Sequence, residues 1–345
     1  MSLHHPTIIF FVMPQYKTFV KCWYRLPNEL KCHVFGFLSL SDVIAFANTN
    51  LQFRVFALDC LRLRLGEMLK EYRLSLYTLF IILDRFNSVV SGSTALEIVH
   101  PTGLIPNNLD LVCPTDQADD LCSFLIFKGY TPQLDEATIG PSIIDDTPGQ
   151  NCIEALRTLR HPSTGAIIHV LVATSASPLV AVFSFHSTFI MNFISAQAVY
   201  SCYPSLTEQN TGLRNVSDNR VVVQPRRLLD EAKYQQRGFA YLPPCPPLQE
   251  SDRSHPVNDR CLHRPRSLVD FTTATLPFNI FLSSCSFWPK TEWRLGCHFR
   301  LPDGSVVVAE CLVEVNSDGT DKWMHGNHPT GLSLAERAIL IQALS

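Results

Sequence analysis

The sequence predicts an α+β protein in which a small helical module precedes a domain built on a mixed sheet and a β-rich C-terminal region. Three observations predict this class: apolar residues recur at helical spacing near the N-terminus, short apolar strands alternate with helices in the middle of the chain, and a hairpin pattern lies in the last third. Because 46% of the 345 residues are apolar and 17% are charged, the chain can bury more than one core.

These patterns divide the chain into four parts. We expect a leader at residues 1–23, the helical module at 24–57, the mixed-sheet domain with its leading helices at 58–240, and the β-rich region at 241–345. The leader lacks the basic flank and the small-residue cleavage site of a secretory signal peptide. The uncharged stretch at 179–200 has polar residues in its interior, which favours a buried segment over a membrane span.

The helical module begins at a proline. After Pro27, the residues Leu30, Val34, Phe37 and Leu38 occupy positions i, i+4, i+7 and i+8, which is the spacing of an amphipathic helix. The sequence therefore predicts a first helix that starts near Pro27.

Two further short helices complete the predicted module. Ser39 or Ser41 offers an N-cap for the second helix, and Asn50 precedes a third helix that contains Phe56. Three short helices in some thirty residues cannot form an independent core, so we expect their apolar face to require a partner.

The order of residues in this module resembles the F-box. The resemblance is carried by Leu26-Pro27-x-Glu29-Leu30, then Val34-Phe35-x-Phe37-Leu38, then Asp42-Val43. F-box proteins bind a Skp-type adaptor and so join a cullin-RING ubiquitin ligase. The resemblance implies an adaptor-facing surface formed by Leu26, Pro27, Leu30, Val34, Phe35 and Leu38. The alternative is an ordinary amphipathic helical hairpin that packs on its own chain.

The mixed-sheet domain is predicted to open with helices at 58–72 and 74–86. The segment 88–96 then reads as an apolar strand, a turn at Gly92-Ser93 and a helix start. Such a turn presents backbone N–H groups at a helix N-terminus, where a phosphate can bind, although most turns of this kind bind nothing.

Two later strands carry polar residues. In the strand at 106–114, Asn108 and Asp110 point to the same face because they are two residues apart. A further strand at 166–172 carries His169 among apolar neighbours.

The turn and these strands together resemble the nucleotidyltransferase fold. Its pattern is a Gly-Ser turn, a strand with two acidic residues spaced i, i+2, and a later strand with a third acid. The resemblance covers residues 80–239, and the segments 185–193, 203–204 and 233–239 resemble nucleotidyltransferase-like proteins abundant in mushroom-forming fungi. The resemblance implies that Gly92 belongs to a phosphate-binding turn.

The chemistry of that fold depends on two divalent cations held by three carboxylates. Here the three positions are Asn108, Asp110 and His169, so one acid remains, and magnesium prefers oxygen ligands. We therefore expect no catalytic residues and no metal. A nucleotide could still bind at Gly92, Ser93, Asn108 and Asp110, and the alternative is a metal-dependent enzyme that uses Mg²⁺ with a nucleotide.

The last third offers a hairpin at 299–309, with Asp303-Gly304 as its turn, and a capping box at Ser333 that opens a terminal helix. The twelve cysteines form no Cys-x-x-Cys pair. Some cysteines lie near histidines in the sequence and could be considered as metal ligands with them. These residues are His255, Cys261, His263, Cys297 and His298. With no second close pair to complete a tetrahedron, this spacing favours reduced structural thiols over a metal site.

The formal net charge of −3 gives no global attraction to nucleic acid or to an anionic membrane, so neither is an expected partner. Reduced thiols point to the cytoplasm or the nucleus. The fold predicted in full is a three-helix F-box-like module, a mixed-sheet nucleotidyltransferase-like domain and a β-rich C-terminal region. We expect a substrate receptor of a Skp/cullin/F-box ligase for an unknown protein target. The alternatives are a nucleotidyltransferase and a nucleotide-binding pseudoenzyme.

Overall fold

The computed structural model describes residues 14–133, 152–215, 225–243, 261, 266–270, 272–279, 291–295, 297–300, 306–309 and 312–315. Within these ranges the chain has the predicted α+β class, with a run of helices followed by one large mixed sheet. The helices are α1 Pro14–Arg25, α2 Asn28–Phe35, α3 Leu40–Ala47, α4 Leu51–Lys70, α5 Leu76–Arg85, α6 Gly92–Val99, α7 Ala118–Phe127, α8 Leu179–Phe183, α9 Pro204–Thr207 and α10 Pro225–Gln236. Short 3-10 turns lie at Thr115–Gln117 and Thr188–Ile190.

The strands are β1 Val89–Ser91, β2 Asn108–Pro114, β3 Thr131–Pro132, β4 Ile153–Arg160, β5 Ile167–Ala173, β6 Asn192–Ile194, β7 Ala198–Ser201, β8 Thr211–Gly212, β9 Ala240–Tyr241, β10 Arg266–Ser267, β11 Ala274–Pro277, β12 Thr291–Arg294, β13 Cys297–Arg300, β14 Val306–Ala309 and β15 Leu312–Val315. Eight of them form one sheet in the order β11-β7-β6-β1-β2-β5-β4-β3. Neighbours in this sheet are antiparallel except β2 and β5, which are parallel. Smaller sheets join β10-β12-β15, β13-β14 and β8-β9.

Both faces of the large sheet are buried. Because successive side chains of a strand point to opposite faces, Val90 and Leu111 lie in one apolar cluster while Val89 and Val112 lie in another. The first cluster also contains the buried residues of α3, α4, α5 and α7. The second contains α8 and Trp293, which stacks on Phe183 with ring centroids 4.0 Å apart.

The predicted caps of the N-terminal helices are confirmed. Ser39 caps α3 in a capping box with Asp42, and the Asn50 side chain accepts a hydrogen bond of 2.9 Å from the Phe53 backbone N–H at the start of α4. The sequence predicted a short third helix followed by a separate helix at 58–72. This prediction is wrong, because α4 is continuous from Leu51 to Lys70. The residues Phe53, Ala57, Leu61, Leu65 and Leu69 are all buried, and their i, i+4 spacing continues without a break.

The predicted boundaries at 23/24 and 57/58 therefore fall inside α1 and α4. Trp23, near the end of α1, is 6% exposed and packs against the rings of Phe35, Phe46, Phe53 and Phe56 at centroid distances of 5.9, 4.9, 6.2 and 5.7 Å. The N-terminal helices thus pack around a small aromatic core. This core is continuous through α4 with the first cluster of the sheet.

The uncharged stretch at 179–200 is buried as predicted, in α8, β6 and β7. In the described part of the chain, no helix is long and apolar enough to cross a membrane. The strands of the predicted C-terminal hairpin are confirmed as β13 and β14, which pair antiparallel. The Asp303-Gly304 turn and the terminal helix that opens at Ser333 lie outside the described residues.

Candidate functional site

A strip of apolar side chains is exposed along α2. Leu30 is 50% exposed, Val34 is 43% exposed and Phe37, just after the helix, is 71% exposed, while Pro27 is exposed at the N-cap. These side chains keep the i, i+4, i+7 spacing and lie along one side of the helix. We call Leu30, Val34 and Phe37 the α2 face. Phe37 belonged to the predicted apolar pattern but not to the predicted adaptor-facing set, and its position i+7 from Leu30 is the signal that includes it.

Phe35 does not lie on the α2 face, so the predicted set is corrected at this position. It is 2% exposed, and its ring contacts those of Trp23, Phe46 and Phe56 at 5.9, 4.8 and 5.2 Å. One residue further along a helix is a turn of about 100°, which takes Phe35 from the Val34 side into the aromatic core. The two remaining predicted residues, Leu26 and Leu38, are half-buried against the same core.

Arg64 of α4 holds α2 in place from behind. Its guanidinium donates to the carbonyl oxygens of Phe35, Leu38 at 3.1 Å and Ile98 at 2.8 Å. Carbonyls at helix C-termini carry partial negative charge, so a cation is favourable there. Burial lowers the pKa of the Arg64 guanidinium, and the Glu97 carboxylate opposes this shift.

The predicted turn lies where expected, between β1 and α6. Gly92 has φ of +66°, and a Cβ built at this position would lie 2.2 Å from Asp110 Oδ2. Antiparallel pairing places Ser91 opposite Asp110, which brings the carboxylate over the turn. The close approach therefore requires glycine at position 92. Ser93 follows it and is buried.

The three residues at the nucleotidyltransferase acid positions meet beside this turn. Parallel pairing of β2 with β5 places Asp110 opposite His169, and His169 Nδ1 lies 3.3 Å from Asp110 Oδ1. The Asn108 amide donates to Asp110 Oδ1, and its nitrogen lies 3.1 Å from His169 Nδ1. The sequence thus predicted which side chains come together, and both Asn108 and His169 lie beside Asp110 Oδ1.

The cluster is partly open to solvent. The side chains of Asp110 and His169 are 18% and 27% exposed. Sequence reasoning missed two tyrosines nearby. Burial raises the pKa of both tyrosines, that of Tyr72 to about 12, and the Asp110 carboxylate adds to both shifts. Tyr234 lies in the segment 233–239 that carried the resemblance, whereas no sequence pattern points to Tyr72.

The chemistry of this cluster suits internal hydrogen bonding. It offers one carboxylate, one imidazole and one amide, and a magnesium ion requires several oxygen ligands. In the ranges that the structure describes, no group of three or more His, Cys, Asp or Glu side chains could hold a metal ion. Of the residues considered for a metal from the sequence, His255 and His263 lie outside those ranges.

Comparison with known proteins identifies no relative of this chain. No family model, no curated protein and no solved structure matches the chain. The function therefore has to be argued from the α2 face and from the cluster beside Gly92.

Proposed function

We propose that the chain is an F-box-type interaction protein. In this proposal the α2 face binds a Skp-type adaptor, and through it a cullin ligase, while the nucleotidyltransferase-like part of the chain is a scaffold that presents a protein target. The observation that supports it best is the α2 face itself, an exposed apolar side on a helix that is anchored from behind.

The α2 face has the character of an interface rather than of an incidental surface. An amphipathic helix of a monomeric protein buries its apolar side, and α2 does so with Phe35. Within the described part of the chain, packing leaves Leu30, Val34 and Phe37 exposed. Clustered apolar side chains at i, i+4 and i+7 are the pattern with which a helix enters the groove of a partner.

The cluster beside Gly92 supports a scaffold role in preference to metal-dependent nucleotidyl transfer. Asp110 is the one acid of the three positions, and Asn108 and His169 are bound to it and to each other. A carboxylate engaged in this way is a poor ligand for magnesium. We therefore retain the enzyme and the pseudoenzyme only as alternatives.

Charged residues on the α2 face should weaken adaptor binding strongly. We expect the double variant Leu30→Asp/Val34→Asp to bind a purified Skp-type adaptor more than about tenfold more weakly, since each apolar side chain contributes about 1.5 kcal/mol or more when it is fully buried. Both positions are exposed in the chain alone, so the fold should be retained. Affinity is measured by titration and folding by thermal melting.

The matched control places the same charges on other helices. Tyr77 on α5 is 76% exposed and Ile126 on α7 is 45% exposed, so Tyr77→Asp/Ile126→Asp changes comparable apolar side chains. This control should bind the adaptor as the unchanged chain does. Equal binding by both double variants, or no binding by the unchanged chain, would refute the proposal.

A further inference from the structure

Two cysteines meet between α2 and α4. The sulfur atoms of Cys32 and Cys60 lie 3.8 Å apart although the residues are 28 positions apart in the chain. Both thiols are free. Cys60 is 7% exposed on the inner side of α4, whereas Cys32 is only partly buried, so small solutes can reach Cys32 first.

This pair lies on the back of the α2 face. Leu30 and Val34 are each two residues from Cys32, which is about 200° around a helix. The thiol of Cys32 therefore points toward α4 while the α2 face points away from it. A covalent bond between the sulfurs would join the two helices without covering the apolar side chains.

We propose that Cys32 and Cys60 form a reversible disulfide when the chain meets a hydroperoxide, and that this bond locks α2 onto α4 behind its apolar face. The formation of the bond is independent of any partner. Its relevance to docking at the α2 face, which the bond leaves uncovered, rests on the proposed function.

The chemistry proceeds in two balanced steps. The Cys32 thiol loses its proton, and the thiolate attacks one oxygen of hydrogen peroxide. The O–O bond breaks, a sulfenic acid forms, and the leaving hydroxide takes up the proton that the thiol released to give one water. The Cys60 sulfur then attacks the Cys32 sulfur, the S–O bond breaks, and the hydroxyl leaves with the Cys60 proton as a second water. Two thiols and one peroxide thus give one disulfide and two waters, and a dithiol reductant reverses the outcome.

The surroundings fit this order of events. Burial, with a smaller contribution from Cys32, raises the pKa of the Cys60 thiol to about 12. A buried thiol that stays protonated reacts slowly with a peroxide in solution. Its sulfur lies 3.8 Å from that of Cys32, which places Cys60 as the resolving partner. Cys32, which oxidants can reach, takes the first step.

The bond is tested on the full chain with hydrogen peroxide. After treatment, free thiols are alkylated and the digest is analysed by mass spectrometry. We expect a peptide pair joined through Cys32 and Cys60 that disappears after dithiothreitol. It should be absent from Cys32→Ser, a conservative change at a partly exposed position, and present in Cys122→Ser, which removes another partly buried thiol that lies 3.8 Å from an Arg157 nitrogen.

Thermal melting supplies the second readout. The oxidised chain should melt higher than the reduced chain by about 3 °C or more, because the bond restricts the unfolded chain, and Cys32→Ser should show no such rise. Oxidation of Cys32 without a link to Cys60, or a link of Cys32 to any other cysteine, would overturn the inference.

The oxidised chain should still capture a Skp-type adaptor, because the α2 face remains outward. A Cys32–Cys60 bond in a chain that captures no adaptor, reduced or oxidised, upholds the redox inference and refutes the proposed function. Adaptor capture by the reduced chain that is lost on formation of this bond would contradict the placement of the bond behind the face.

Discussion

Gly92 allows the Asp110 carboxylate to approach the turn because glycine has no Cβ atom. Its φ is +66°, and the space that a side chain would need is taken by Asp110, which is in turn held by Asn108 and His169. Positive φ disfavours any residue with a Cβ, and the nearby carboxylate adds a steric cost.

We therefore expect Gly92→Ala to lower the free energy of unfolding by more than Gly103→Ala does. Gly103 has φ of +78° but nothing within 4 Å of the place that a methyl group would occupy, so it reports the backbone cost alone, about 1–2 kcal/mol. The excess at Gly92, about 1 kcal/mol or more from overpacking, should vanish when Asp110→Ala is combined with Gly92→Ala. Urea denaturation of the unchanged chain, the three single variants and the double variant measures these free energies of unfolding. Equal losses at the two glycines would contradict the close approach.

The candidate site was predictable at this scale because its residues follow simple periods. Asn108 and Asp110 alternate along one strand, and the apolar neighbours of His169 mark another strand. Phe35 was not predictable in the same way. Whether it or Val34 faces outward depends on Trp23 and Phe56, which come from two other helices.

At the scale of elements, α4 joins the N-terminal helices to the rest of the chain. It runs for 20 residues, and its buried row crosses the predicted boundary at 57/58. The caps Ser39 and Asn50 could be predicted because capping is a local interaction. The length of α4 was missed because the motif was expected to end with its third helix.

A proline in the middle of α4 tests this continuity. Asp59 is 59% exposed, so Asp59→Pro acts mainly on the backbone. We expect it to cost about 3 kcal/mol or more in unfolding free energy, because it removes a helical hydrogen bond and clashes with the preceding turn. Asp59→Ala, which loses only a surface ion pair with Arg62, should stay within about 0.5 kcal/mol of the unchanged chain. Denaturation in urea that shows no difference between the two variants would place a linker here after all.

Across the whole molecule, the N-terminal helices are tied to the far edge of the sheet. Arg62 donates to the Phe278 carbonyl at 2.9 Å, and the rings of Phe80 and Phe278 lie 5.0 Å apart. Phe278 follows β11, the edge strand next to β7. The order of the sheet could not be read from the sequence, because no local pattern indicates which distant strands pair.

These ties predict that the N-terminal helices and the sheet unfold together. Phe278 is 7% exposed, so Phe278→Ala should cost about 3–5 kcal/mol, and it should speed amide hydrogen exchange in α3 and α4 as well as in β7. Val269→Ala, at a 65% exposed position in the same region, is the control and should leave exchange unchanged. Faster exchange confined to β7 would mean that the helices are a separate cooperative unit, as the predicted boundary at 57/58 requires. Faster exchange in the helices and in β7 would mean that the two regions unfold as one cooperative unit. A partner bound at the α2 face would then also stabilise the sheet.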